Sequence, residues 1–174
     1  MNKDFVSYLE TATFQTKYRT HFITITKELH EIIKKSGVTQ GSVVVQTHHT
    51  TAGLWVNENE KNLIGPSEEL GYEADIRKVL DAFAHPASEY GHNDIADHTN
   101  VEGKRNTHLC EPDENGEIQE CINGHSHAQA LMIHPSITLI IKDGTWLKGQ
   151  WQELMLVELD HDRERTVSFL VQGV

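Results

Sequence analysis

Two cysteines in 174 residues are too few for the disulfide framework on which small secreted scaffolds depend, and a chain of this length buries enough core to fold without one. Nowhere do about eighteen apolar residues follow one another, so no segment reads as a membrane-spanning helix. The stretch from Met1 to Phe14 has no basic region followed by an apolar run, so no secretory leader is expected and the cytoplasm is the expected compartment. Positive charge is scarce as well: 15 Lys and Arg stand against 26 Asp and Glu, a formal net charge of -11. The pairs Lys34-Lys35, Lys104-Arg105 and Arg163/Arg165 are scattered and supply no basic face, which argues against nucleic acid or an anionic membrane as partner. Small-molecule or cation chemistry fits better. Neither an internal repeat nor a low-complexity tract interrupts the chain, so residues 1–174 read as one domain.

What the sequence does have is histidine. In Asn123-Gly124-His125-Ser126-His127, two imidazoles one residue apart project to the same side if the backbone is extended, and would then form a chelating pair. His92, Asp94, Asp97, His98, Glu102 and His108 crowd the approach to this run. Imidazole and carboxylate together are the ligand set of zinc and other first-row divalent ions, so His92, His125 and His127 are candidate metal ligands. The metal expected on isolation is zinc or nickel, with magnesium as a further working ion. An exposed histidine binding nothing is the plain alternative.

Local patterns give an α+β class, mostly antiparallel sheet with flanking helices. Thr11 to Thr24 alternates polar and apolar residues and reads as a strand or strand pair. Thr26 stands where it would N-cap a helix carrying Leu29, Ile32 and Ile33, which Ser36-Gly37 ends. Ser42 to Thr50 is a β-branched strand, with Leu54 to Asn57 expected to pair with it. Leu70, Ile76, Val79, Leu80 and Phe83 predict a helix within Glu68–His85, before Pro86. Ser136–Lys142, Gln150–Leu159 and Thr166–Val171 predict three further strands, with turns at Asp143-Gly144 and Asp160–Arg163.

The ordered series His49-Thr50-Thr51-Ala52-Gly53-Leu54, Asn57-Glu58-Asn59, Asp75, Tyr90-Gly91-His92, Asn123 to His127, Gly149-Gln150-Trp151-Gln152 and Arg163 to Gly173 resembles the YjbQ-like family over nearly the whole chain. The resemblance implies a small α+β homotrimer with a histidine-rich cavity near the subunit boundaries. Members are labelled secondary thiamine-phosphate synthases. Two departures stand out: a segment resembling a hairpin is inserted around 103–122, and Lys148-Gly149-Gln150 stands where Leu-Gly-Thr is more usual.

Adjacent residues on a strand face opposite ways, so only one of His48 and His49 is expected in a given cavity, and the resemblance selects His49; the plain alternative for either is a strand-end histidine hydrogen-bonded to a neighbour. Thr50 and Thr51 offer hydroxyls to an anionic oxygen, or simply end a strand. Glu58 is placed to orient an imidazole, or to sit in solvent as a turn carboxylate. Asp75 reads by itself as an exposed helix carboxylate, and the resemblance gives it a functional role. Arg163 and Arg165, two apart, point the same way and would hold phosphate together, or form ion pairs with Glu153 or Glu158. Trp151 is expected beneath a sheet, and Met132 and Met155 in the core. Cys110 and Cys121 read as two arms of a hairpin whose thiols are free, disulfide-bonded or metal-bound.

Two functions of different class follow. One is a metal-dependent enzyme of small phosphorylated metabolites, with the thiamine-phosphate-synthase resemblance implying transfer of an activated pyrimidine to a thiazole phosphate with loss of diphosphate. There the metal would neutralise the leaving group, His49 or His127 would pass protons, and Arg163 and Arg165 would hold phosphate. The other is a trimeric metal- or ligand-binding protein without turnover.

Overall fold

In a computed structural model, which describes residues 4–94, 114–116 and 122–174, the chain forms two antiparallel sheets packed face to face with helices around them. Strand β1 (Val6–Gln15) and strand β2 (His21–Thr24) come from the alternating segment near the start. Helix α1 (Thr26–Ser36) follows, then β3 (Gln40–Thr47), β4 (Ala52–Glu58), the single turns α2 (Lys61–Ile64) and α3 (Ser67–Leu70), and α4 (Asp75–Phe83). After a 3-10 turn at Gly91–Asn93 come α5 (Gly124–Gln129), β5 (Ser136–Lys142), β6 (Thr145–Trp146), β7 (Gln152–Glu158) and β8 (Glu164–Gly173). The larger sheet runs β1-β8-β3-β5-β6 and the smaller β2-β7-β4.

The periodicity of β8 explains the packing. Arg165, Val167, Phe169 and Val171 are buried while the residues between them are partly open, so one face of the larger sheet turns inward. Against it lie Leu154 and Leu156 of β7, with Leu54 of β4 and the apolar stripe Leu29, Ile32 and Ile33 of α1. The other face of β7 carries Val157, which joins Leu159, Leu80 of α4 and Ile133 in a second cluster. Buried on both faces, β7 reads as a nearly unbroken apolar run for that reason. Gly41 is dictated by close approach: a Cβ there would lie 2.0 Å from the Gln172 carbonyl oxygen on β8.

Several local expectations change. Thr26 is the first residue of α1 and does not cap it; its Oγ1 accepts the Leu154 N–H at 2.9 Å instead, tying the helix to the sheet. Strand β4 pairs with β7 and not with β3, because the break at residues 48–51 carries the chain from one sheet to the other. The expected helix within 68–85 divides at Gly71, whose φ of 71° ends α3 in the left-handed conformation. Trp151 is 65% exposed on the loop before β7, not beneath a sheet, and Met132 is half exposed while Met155 is fully buried. Cys110, Cys121, Asp97, His98, Glu102 and His108 lie outside the described residues. No helix among the described residues is long and apolar enough to cross a membrane.

Candidate functional site

The site is built at one end of the seam between the sheets. Glu158, the last residue of β7, continues the inward row of Leu154 and Leu156, and Arg165 begins the inward row of β8. Both are buried, and the guanidinium grips the carboxylate through Nε to Oε2 and Nη2 to Oε1, each at 2.5 Å. Glu158 is filled on every side: Oε1 also accepts the Asp160 N–H at 2.9 Å, and Oε2 the Thr16 hydroxyl at 3.0 Å. A buried pair with this complement of bonds is held in one geometry, because losing either partner strands a charge in the interior.

On the open side of this pair is a pocket of about 280 Å³ lined by His48, His49, Thr50, Thr51, Asn123, His127, Asp160, Arg163 and Arg165. Arg165 Nη2 also donates to Thr51 Oγ1 at 3.0 Å, so the Thr51 hydroxyl keeps its own proton for another acceptor. Arg165 Nη1 has no hydrogen-bond partner among the described residues and belongs to a pocket-lining side chain. His49 Nε2 accepts the Thr166 N–H at 2.8 Å, which puts the imidazole proton on Nδ1. Burial first, and the Arg165 guanidinium second, push the His49 pKa below its ordinary value against the pull of Glu158. His49 is therefore a neutral donor. Three residues of this lining, from three segments, each keep a donor in reserve, Arg165 Nη1, the Thr51 hydroxyl and His49 Nδ1–H, a set whose chemistry suits an oxyanion.

Both His48 and His49 line this pocket, although only one was expected to. Strand β3 ends at Thr47, so the alternation that would have separated them has stopped. Arg163 and Arg165 both border it, but each is engaged with an acid: Arg163 Nη2 donates to Asp160 Oδ2 at 3.0 Å, and Arg165 takes Glu158, the second of the two readings of that pair. Thr50 is exposed at the rim.

The His-x-His run is not extended. Gly124–Gln129 is helical, so residues two apart lie about 200° apart around the axis and the chelating pair is not formed. His125 turns inward, where its Nε2 meets Ser126 Oγ at 3.1 Å while that hydroxyl donates to the Leu159 carbonyl at 2.7 Å. Burial and then Arg19 push the His125 pKa below its ordinary value. His127 faces the pocket and instead meets His92, with ring centroids 4.4 Å apart. Gly124 makes this approach possible: a Cβ there would lie 2.5 Å from Tyr90 Cβ, on the loop that carries His92. No group of three His, Cys, Asp or Glu side chains suited to a metal occurs among the described residues. Among the described residues His92 and His127 bring two imidazoles together, where an open zinc site takes three protein ligands.

Glu58 is exposed at the far end of β4, opposite Gln152, and Asp75 is exposed at the start of α4 with Lys78 Nζ at 3.1 Å. Neither lines the pocket. Asp160 and Thr16 are contributors that motif reading passed over, and Asn123, though part of a motif, was given no role by it. Their one sequence signal is Glu158 itself, an acid within the apolar run Leu154 to Leu159, which demands a buried partner and polar neighbours.

The family model described as UPF0047 protein YjbQ-like matches residues 10–174. A UPF0047 protein of Methanothermobacter thermautotrophicus is 25% identical over 166 residues, 95% of this chain and 92% of that one. The UPF0047 protein YugU of Bacillus subtilis is 24% identical over 165 residues, 95% of this chain and 99% of that one. Among solved structures, a YbjQ-like protein of unknown function from Sulfolobus solfataricus superposes with a TM-score of 0.75 at 23% identity, covering 98% of this chain and all of that one. A hypothetical protein from Aeropyrum pernix gives 0.73 at 26%, covering 96% and 99%. These names specify no activity.

Proposed function

The chain belongs to the UPF0047 YjbQ-like family, and from that premise we propose that its pocket binds a small phosphorylated molecule and acts on the phosphoryl group. The observation that carries this is Arg165, a buried guanidinium fixed by Glu158 with Nη1 not taken up by any described residue, on a pocket lining shared with Thr51 and His49, each of which keeps a donor of its own. Such preorganised donors stabilise charge that grows on a phosphoryl or diphosphate oxygen. His49 serves as a donor and not as a proton carrier, because its other nitrogen is committed to the Thr166 N–H. His127, on the same lining, is the titratable group assigned to proton transfer. Transfer between two phosphorylated substrates, as in thiamine-phosphate synthesis, needs both bound together. A pocket of about 280 Å³ lies at the small end for one ligand, so a single ligand is assigned.

The test is calorimetric titration with inorganic phosphate and with diphosphate. Thr51→Val removes one hydroxyl at nearly constant volume and should weaken binding about three- to tenfold, the worth of one hydrogen bond. No binding of either anion in the millimolar range would end this reading. The His92–His127 ring contact favours a second one, a protein that holds a divalent ion, zinc or nickel as isolated or magnesium in use, without turnover; elemental analysis of untagged protein tests it. We further infer assembly as a homotrimer. The open groove of about 570 Å³ bordered by Trp55, Ile137, Ile140 and Leu147 supports an apolar contact between copies, and light scattering reporting a monomer at micromolar concentration would refute it.

A further inference from the structure

The pocket also has an acidic wall, and this wall narrows the ligand. Resting on the phosphate reading above, we propose that the ligand is a small zwitterion: a phosphate monoester that also carries a primary ammonium, with the ammonium held by Asp160.

Asp160 is 6% exposed and lines the pocket. Its Oδ2 accepts from Asn123 Nδ2 and from Arg163 Nη2, each at 3.0 Å, whereas Oδ1 accepts no hydrogen bond from any described residue. The side chain is nearly buried, and its Oδ1 is left with acceptor capacity beside a space that a ligand can enter. Opposite in sign is the open Nη1 of Arg165, equally without a partner among the described residues. Both residues are anchored on the same Glu158 Oε1, which accepts the Asp160 backbone N–H at 2.9 Å and Arg165 Nη2 at 2.5 Å, and both line the one pocket. One small molecule reaches both, and at about 280 Å³ the pocket admits little more than one.

Charge decides between an ammonium and a hydroxyl as the group that fills Oδ1. Among the described residues around the pocket, two cations, Arg163 and Arg165, meet two anions, Asp160 and Glu158, and these four charges sum to zero. A phosphate dianion alone would leave the site negative within a chain whose net charge is already -11. A hydroxyl does nothing to correct this. An ammonium against Asp160 offsets part of it and forms a charge-assisted bond in a partly desolvated setting, where such bonds are strongest.

The experiment titrates the full chain calorimetrically with O-phosphoethanolamine, with propyl phosphate, which has the same skeleton but no charge at its end, and with inorganic phosphate. Wild type should bind phosphoethanolamine about tenfold or more tightly than propyl phosphate, and Asp160→Asn should bring the two within about threefold of each other. Equal affinity of the two esters for wild type overturns the proposal while leaving the phosphate site standing. Binding of none of the three removes the phosphate reading and this inference with it. The wild-type comparison is decisive even if Asp160→Asn fails to fold.

Discussion

Replacing Glu158 by Gln changes one atom and should be among the most damaging substitutions in the chain. Each carboxylate oxygen accepts two donors: Oε1 from Arg165 Nη2 and the Asp160 N–H, Oε2 from Arg165 Nε and the Thr16 hydroxyl. Whichever way a glutamine amide is turned, its NH2 faces two of those donors, so no rotamer satisfies the site. The substitution also leaves the Arg165 charge, 4% exposed, without its counterion. Breaking a buried pair in this way costs about 3 to 5 kcal/mol. At roughly 2 to 4 °C per kcal/mol for a chain of this size, the melting temperature should fall by about 6 to 20 °C. The assay is urea and thermal unfolding at one fixed protein concentration, so that any assembly contributes equally. Glu153→Gln is the control, because its partner Lys148 leaves both side chains about a quarter exposed and the pair should be worth under about 1 kcal/mol. A loss for Glu158→Gln no larger than for the control would refute the claim that this ion pair organises the pocket.

Acid should destabilise the fold from near neutrality downward. Burial holds the imidazoles of His21, His49 and His125 below their ordinary pKa of 6.5, so under that pH the unfolded chain binds more protons than the native one. Stability is full above about 6.5 and declines as pH drops toward the native values; a urea midpoint that rises on acidification from neutral to about pH 5.5 would contradict this. Gly124→Ala should push Tyr90 and with it the His92 loop away from α5, since the new Cβ meets Tyr90 Cβ at 2.5 Å, and an unchanged crystal structure with the rings still 4.4 Å apart would be the wrong result. Any zinc or nickel that the protein retains should be reduced by His92→Ala and by His127→Ala but not by His125→Gln, as read by elemental analysis. Equal losses from His125→Gln and His127→Ala would mean that the two share a ligand sphere, against the helical geometry of residues 124–129.

The parts legible in the sequence were those with an unambiguous period. Alternation along Thr11 to Thr24, the i, i+3, i+4 stripe of α1 and the β-branched run of β3 led to an α+β, mostly antiparallel fold, and the ordered motifs led to the YjbQ-like family, which the match over residues 10–174 bears out. Pairing partners were less legible, because β4 has no local feature that chooses β7 over β3. That choice is made by where Ala52 and Gly53 send the chain, and a Cβ on Gly53 would lie 2.4 Å from the Ile133 side chain. Asn123 to His127 misled for the same reason. Two histidines two apart share a face only on a strand, and a five-residue window carries too little apolar pattern to distinguish strand from helix.

The site depends on what lies behind it more than on the motif residues in front. Arg163 and Arg165 read in the sequence as a pair for phosphate or as ion-pair partners of Glu153 or Glu158; each is bound to an acid, and where the charges of the described residues around the pocket cancel, the field alone does not attract an anion. Its affinity has to come from directed donors. Arg165 supplies one because Glu158 takes only Nε and Nη2, and His49 supplies another because the Thr166 N–H takes only Nε2. In both residues a bond on the far side fixes the side chain and turns its remaining N–H groups outward, so the pocket is organised before any ligand arrives and its donors need no rearrangement on binding. Electrostatic steering should accordingly contribute little: if a phosphate ester binds, its affinity should change by less than about threefold between low and physiological ionic strength, because the charges of Arg163, Arg165, Asp160 and Glu158, the charged groups described there, sum to zero. A steep fall with added salt would instead mean that an uncompensated cation governs entry, and the balance drawn between Arg163, Arg165, Asp160 and Glu158 would be wrong.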